Sequence, residues 1–336
     1  MASDTIAIQF VRAVAHTAQA NDIELEMVLA DVINPELLGH DLGRVTSEQF
    51  VRIVHALWQR TDDELFGLAP RPIPRGTFRM ITLGVIHTPD LGTALTRLAE
   101  FIGIATGIQA TLTRDEAATV ARYEVDHGHA THVDAIVVDI GLGVIHRFAS
   151  WLIKQQIRLQ SLELAHPVTP YADDYPTMFG TYPSFDAVRS ALVFDDKYLR
   201  LPIVRSEAEL RQFIRDSPAD IFTRREYVTT TSQRVRQILE RNEPGAFLTA
   251  DKVAARLALS TQHLRRLLNE EGSSFRAIQE QILRDRAIES LARGDETIEA
   301  LARRLGYSEP SAFRRAFRRW TGAPPGTYIA ASRKPG

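Results

Sequence analysis

Four arginines crowd into one short stretch near the end of the chain. Residues 305–322, LGYSEPSAFRRAFRRWTG, hold Arg314, Arg315, Arg318 and Arg319 beside Phe313, Phe317 and Trp320. A guanidinium offers N–H donors in a rigid fork that fits phosphate and the O6/N7 edge of guanine. Arginine at this density therefore points to recognition of a polyanion or of base edges. On a helix, residues at i, i+3, i+4 and i+7 share a face. Phe313, Ala316, Phe317 and Trp320 form one such face, and Ser311, Arg314, Arg315 and Arg318 form the opposite one. The aromatic face is expected to anchor the helix and the arginine face to point outward.

The same layout occurs earlier in the chain. Residues 253–272, VAARLALSTQHLRRLLNEEG, align with residues 301–322 through Ala254/Ala302, Leu257/Leu305 and Ser260/Ser308. After one inserted residue, Leu264 matches Phe313, and Arg265 and Arg266 match Arg314 and Arg315. Leu264, Leu267 and Leu268 face inward, leaving Gln262, Arg265, Arg266 and Asn269 outward, and Gln, Arg and Asn are the side chains that bond base edges in pairs. Each copy reads as a short helix, a tight turn, a serine able to cap, and a second helix. That is the helix-turn-helix layout. Between the copies, residues 273–294 read as a helix of about 18 residues, capped by Ser273 or Ser274 and stopped by Gly294. Such a helix spans ~27 Å, which with the flanking units brings the outer helices near the ~34 Å repeat of B-DNA.

Other chemistry is weakly represented. The chain has no cysteine, which excludes disulfides, thiolate zinc sites and cysteine nucleophiles. The sequence DHGHATH (126–132) is the one cluster with metal-ligand character, and its place at a strand-to-helix junction reads as a solvated loop. GLGVIH (141–146) imitates part of a dinucleotide fingerprint but lies inside a helical stretch, without the third glycine. No nucleophile elbow, zincin motif or phosphate loop is present. No catalytic residue, metal or cofactor is predicted, and the chain is not expected to be an enzyme.

The formal charge of −2 hides an asymmetry. Residues 233–336 carry 19 Lys+Arg against 12 Asp+Glu, a net of +7, and the remainder carries 21 against 30, a net of −9. Only the last third is suited to face a polyanion. Seventeen of its 19 cations are arginine, which favours bidentate recognition over a diffuse cationic surface. A chain of 336 residues, 44% hydrophobic and 24% charged, reads as two soluble domains. No apolar run reaches the ~20 residues of a membrane span, and residues 1–20 lack the pattern of a signal peptide. A cytoplasmic protein is the expectation.

The acidic part reads as mixed α+β. From Asp4 to about Arg60 the reading is helical, with apolar residues at helical spacing in 6–19 and 47–60, the latter capped by Ser47 or Thr46, and the prolines of 69–76 enforce a loop. Residues 91–103 read as a helix, 108–115 and 118–126 as a hairpin, and 131–162 as a longer helix. Residues 161–168, 176–180 and 189–199 read as short strands among loops. The expected fold is thus an α+β N-terminal domain followed by an all-α C-terminal domain with two helix-turn-helix motifs joined by a linker helix. The expected boundaries are 1–222 for an effector-binding and dimerisation domain, 223–245 for a linker helix and loop, and 246–331 for the DNA-binding domain. Phe78, Phe101, Tyr123 and Phe148 are candidates to line an effector pocket, although each taken alone reads more simply as core.

These residues resemble the AraC/XylS family of transcription regulators. IEALARRLGYSEPSAFRRAFRRWTGAPPGTY (298–328) is similar to that family's C-terminal signature, including Gly306, Tyr307, Phe313, Phe317, Gly322 and Pro325. The first motif departs from it at Ala258, where many members carry Gly or Asn in the turn. DELFGLAP (63–70), TLGVIHTPDLGTALTRLAEF (82–101) and residues 166–203 resemble the N-terminal domain of the branch that includes ornithine-utilisation and mycobacterial virulence regulators. The resemblance implies a regulator of promoter DNA that senses a small molecule, acts through RNA polymerase and admits a homodimer. On this reading Gln262, Arg265, Arg266, Asn269, Ser311, Arg314, Arg315 and Arg318 touch DNA, while Leu264, Leu268, Phe313, Phe317 and Trp320 hold the helices. A ligand-independent architectural protein is the alternative, and an enzyme domain fused to a DNA-binding domain a more distant one.

Overall fold

The computed structural model describes residues 5–20, 23–24, 28–29, 32–65, 71–126, 135–169, 171–216, 230–241 and 248–329. The chain folds as two compact units that do not follow chain order. The first comprises Met1–Gln9, Leu29–Phe50 and Arg224–Gly336, and the second Phe10–Val28 and Val51–Thr223.

The second unit is built on a five-stranded sheet. Strands β3 (Gln109–Asp115), β4 (Val120–Asp126), β5 (Leu159–Glu163), β6 (Pro183–Ser184) and β7 (Ser190–Asp195) lie in the order β3-β4-β7-β5-β6. Every pairing is antiparallel except β5 with β6. The predicted hairpin is present, in unbroken register from Gln109↔Asp126 to Asp115↔Val120. Alternation on β4 sends Ala121, Tyr123 and Val125 into the core and Arg122 and Glu124 outward. β7 is buried along nearly its whole length, as its run of Ala, Leu, Val and Phe requires at the centre of a sheet.

The unit also contains helices. Helix α1 (Ile8–Ala20) and helix α2 (Ser47–Thr61) contribute to it their residues from Phe10 and from Val51 onward. Thr46 caps α2 through reciprocal bonds with Gln49. Helix α3 (Thr77–Val85) follows the proline-rich loop, and α4 (Leu91–Thr106) runs from the Asp90 cap to left-handed Gly107. Helix α5 (Ala135–Leu152), the five-residue α6 (Tyr175–Phe179) and α7 (Glu207–Asp216) complete the unit.

Three expectations change here. Residues 5–7 form a strand, β1 (Thr5–Ala7), before α1 begins, because they pair with β2 (Arg44–Thr46). The long helix ends at Leu152, where Lys154 turns into positive φ, and 159–163 become strand β5 paired with β7. Residues 176–180, read as a strand, form α6 and its cap. Pro176 suits a first helical turn, and Gly180 at φ +80° ends it. The histidine cluster at 126–132 lies outside the described residues apart from Asp126, and so do 223–229 and 242–245 of the expected linker.

The first unit carries helices α8 (Thr231–Glu240), α9 (Ala250–Arg256), α10 (Thr261–Glu270), α11 (Phe275–Arg293), α12 (Ile298–Arg304) and α13 (Pro310–Thr321). The short β1–β2 ribbon belongs to the same unit. Ser274 caps α11, and Gly294, left-handed at φ +68°, stops it after 19 residues.

Candidate DNA-binding interface

Each helix-turn-helix is held by a small apolar core. Around the first, Val235 and Leu239 of α8, Val253 and Ala254 of α9, Leu264 and Leu268 of α10, and Ile278 and Ile282 of α11 are buried together. Glu271, just past α10, accepts hydrogen bonds from the backbone N–H of Thr231 and Ser232 at 2.6 and 2.7 Å. It thereby satisfies two of the donors that the start of α8 leaves open. In the second copy, Leu301, Leu305, Phe313 and Phe317 are fully buried. Phe313 meets Phe317 and Tyr307, and Phe317 meets Tyr328 edge-on at 5.1 Å. Trp320 is half-buried, its ring 6.5 Å from Tyr307, and its indole N–H is buried without a partner.

The two turns have the same backbone. Ala258 takes φ +56° and Gly306 takes φ +83° at corresponding places. In each, the N–H of the next residue closes the turn on the helix behind it: Leu259 to the Ala254 carbonyl and Tyr307 to the Ala302 carbonyl, both at 2.9 Å. A left-handed alanine costs ~1–2 kcal/mol that glycine does not. Ala258→Gly is therefore expected to raise stability by about 1 kcal/mol and Gly306→Ala to lower it by a similar amount. Urea denaturation of the two variants checks both signs.

The caps differ. Ser260 caps α10 by accepting from the His263 N–H at 3.2 Å. Ser308 does not play the expected part. The residue preceding α13 is Glu309, which makes no side-chain cap, and Pro310 occupies the first turn, where its missing N–H costs nothing. The residue inserted in the second copy accounts for this shift.

Gln262, Arg265, Arg266 and Asn269 on α10, and Ser311, Arg314, Arg315 and Arg318 on α13, are all exposed. Two of the arginines are held by their own domain. Arg266 donates to Glu270 and to the His263 ring, each at 3.2 Å, and Arg314 donates to Glu299 of α12 at 2.8 Å. Exposed pairs of this kind are worth ~0–1 kcal/mol, so a phosphate or base can displace them. Arg265, Arg315 and Arg318 make no ion pair among the described residues. Arg319 and Arg276 both reach Glu280 of α11 at 3.2 Å, tying α13 to the linker helix.

A group missed by sequence reasoning sits behind this surface. Asp285 of α11 is almost fully buried. It accepts from Arg236 of α8 at 2.7 Å and from the Thr5 hydroxyl of β1 at 2.7 Å, and it pairs with Arg284 at 3.1 Å. Arg44 of β2 donates to the Thr5 hydroxyl and carbonyl, and the Arg44 N–H bonds the Tyr328 hydroxyl. Burial works against the Asp285 charge, but Arg284, Arg236 and Arg44 overcome it and bring the carboxyl down to about 2. Asp285 falls in the inward series of Ile278 and Ile282, and a carboxylate on that stripe was the available signal.

In the other unit, a ring contact joins two of the four candidate pocket residues, Phe78 and Phe148. Phe78 meets Phe148 at 6.1 Å, and Phe148 continues into Trp151 and Phe213. Phe101 lies against Gly84, where an added Cβ would come within 2.7 Å of its ring. Tyr123 is buried on β4, its hydroxyl without a partner, and burial raises its pKa. The polar centre of this unit is Asp139 of α5, fully buried, which accepts from the hydroxyls of Tyr171 and Tyr175 at 2.8 and 2.7 Å and lies 3.0 Å from His166 Nε2. Burial, and then the Asp139 charge, raise the pKa of both tyrosines. Two turns further along α5, His146 bonds the Ile157 carbonyl through Nε2, while Nδ1 is buried without a partner. Among the described residues no group of acidic and histidine side chains could hold a metal, and no helix is long and apolar enough to cross a membrane.

Known proteins similar to this chain point to one family. Residues 27–203, more than half of the chain, match the family described as the arabinose-binding N-terminal domain of AraC transcription regulator. Residues 253–331 match a helix-turn-helix domain. The ornithine utilization regulator of Pseudomonas aeruginosa is 22% identical over 89% of this chain and 88% of its own length. A helix-turn-helix regulator of Mycobacterium tuberculosis is 40% identical over 86 residues, 26% of this chain and 25% of its own. The crystal structure of the regulator CdpR from Pseudomonas aeruginosa aligns over 95% of this chain and 97% of its own at 19% identity, with a TM-score of 0.29, too low to argue from shape. The two matched domains, in this order and over this length, place the chain in the AraC family of DNA-binding transcription regulators.

Proposed function

We propose that this regulator reads a promoter through two successive major grooves, with α10 in one and α13 in the next. The observation that carries this reading is the pair of matched turns that present exposed Gln262, Arg265, Arg266 and Asn269 on one helix, and exposed Ser311, Arg314, Arg315 and Arg318 on the other. Between them, 19 residues of α11 span about 28 Å at helical rise, which with the flanking helices suits the ~34 Å repeat of B-DNA. Arg276 and Arg319 are placed to neutralise phosphates, which orient the domain without specifying sequence.

The N-terminal domain then senses a small effector that alters DNA occupancy or contact with RNA polymerase. Regulation follows only if the effector binds one arrangement more tightly than the other. The family description names a sugar, and the name of the Pseudomonas aeruginosa relative refers to an amino acid, so a small polar metabolite is the class of effector these names favour. Phe78 and Phe148 are the candidate residues that meet and could contribute apolar lining. The chain acts in the cytoplasm as a regulator with no catalytic step.

Arg315 supplies the sharpest test. If it contacts a guanine, Arg315→Ala loses ~1–3 kcal/mol of discrimination at that base pair, whereas Arg276→Ala weakens all duplexes about equally and lowers the salt slope by about one. Competition binding against single-base variants of the selected site distinguishes the two. Unchanged discrimination in Arg315→Ala would remove the assignment.

A further inference from the structure

The two helix-turn-helix copies carry the same pair of arginines and hold it differently. Counted from the residue before each helix, Ser260 for α10 and Glu309 for α13, Arg265 corresponds to Arg314 and Arg266 to Arg315. The buried Leu264 and Leu268 correspond to Phe313 and Phe317 in the same count. In the first copy the second arginine is held: Arg266 donates to Glu270 at 3.2 Å, and Arg265 makes no ion pair among the described residues. In the second copy the first arginine is held: Arg314 donates to Glu299 at 2.8 Å, and Arg315 makes no ion pair among the described residues. Two exchanges account for the difference. Glu299 is the second residue of α12, and the second residue of α9 is Asp251, which accepts from the Thr261 hydroxyl at 2.6 Å. The counterpart of Thr261 is Pro310, which has no hydroxyl, and glutamate is one methylene longer than aspartate, so Glu299 reaches Arg314 instead. The counterpart of Glu270 is Arg319, which goes to Glu280 of α11 at 3.2 Å. One turn beyond Arg315 there is therefore a cation where Arg266 finds an acid.

Within the two-groove reading, on which this rests, we infer that Glu270 and Glu299 are positioning residues for base recognition. By holding Arg266 and Arg314 they leave Arg265 as the base-reading arginine of α10 and Arg315 as that of α13. A guanidinium bound to a carboxylate has part of its donor fork occupied, so its approach to the O6/N7 edge of guanine competes with the acid. An exposed pair weights that competition by up to about fivefold, which biases the choice between neighbouring arginines without forbidding either. Successive helical residues are turned by about 100° and raised by ~1.5 Å. The two free guanidinium groups thus project from different points of their helices, and the two blocks of the operator are read in different registers.

The test compares binding to single-base variants of the selected site with binding to the site itself, using the full-length chain. That ratio reads base choice and cancels the general gain in affinity expected when a carboxylate beside DNA is removed. Arg265→Ala and Arg315→Ala should each lose at least about fivefold discrimination at one base pair, and Arg314→Ala should lose less. Glu299→Ala should change base preference by up to about fivefold in the α13 block alone, and adding Arg314→Ala should abolish the change. Glu270→Ala should act in the same way on the α10 block, through Arg266. Both carboxylates are exposed, so the circular dichroism spectrum should not change. If both glutamate variants keep the wild-type preference, or if Arg314→Ala costs as much discrimination as Arg315→Ala, the inference is overturned and the two-groove reading stands. A wild type that selects no two-block site would overturn both.

Discussion

Replacing Asp285 with alanine is expected to destabilise the C-terminal unit by about 3–5 kcal/mol, because it takes a shared carboxylate away from buried guanidinium groups. Arg236 would lose its 2.7 Å bond, Arg284 its ion pair, and the Thr5 hydroxyl the acceptor that fixes β1. The effect should reach DNA binding as well, since α11 sets the spacing between α10 and α13. Titration gives an independent reading. With the folded pKa at about 2 and an ordinary value of 3.8, the contribution is fully present above pH 4. It is lost as pH falls through 2, by about 2 kcal/mol in all. Urea midpoints of wild type and Asp285→Ala across that range check both statements. A loss under about 1 kcal/mol in the alanine variant would mean that the network is solvated in solution.

The second large effect concerns His146. Burial, helped by the charge of Arg147, depresses its pKa to about 4 against an ordinary 6.5, although its bond to the Ile157 carbonyl opposes the shift. A buried histidine held neutral stabilises the fold fully above pH 6.5. As pH falls from there towards 4 the unfolded chain takes up a proton that the folded chain refuses, and about 3 kcal/mol is lost. His146→Gln keeps a donor for Ile157 and should flatten this part of the stability profile of the sheet-containing unit. A slope identical to that of wild type would assign the titration to another group.

The sequence made some of this legible and concealed the rest for physical reasons. The C-terminal helices could be read because caps, stops and amphipathic faces agree: Ser260, Ser274 and Gly294 fall where they act. The β3–β4 hairpin was legible for the same reason, since alternation and turn residues coincide. The β1–β2 ribbon was not, because three-residue strands carry no period, and Thr5–Ala7 runs without a break into an amphipathic helix. Residues 176–180 read as a strand because short apolar runs do not distinguish helix from strand; Pro176 and Gly180 decide for the helix. On the candidate interface, residue types and faces could be read directly. That Arg266 and Arg314 are held by Glu270 and Glu299, while Arg265 and Arg315 are not, depends on tertiary placement and could not be foreseen.

The measurement that bears most directly on the central claim is selection of binding sites from random duplexes by the full-length protein at near-physiological salt, with Arg315→Ala in parallel. Two short blocks of sequence, centred about 10–10.5 base pairs apart, are predicted, and Arg315→Ala should lose information in only one of them. A single block, or the same profile from both proteins, would contradict the reading of two grooves by α10 and α13.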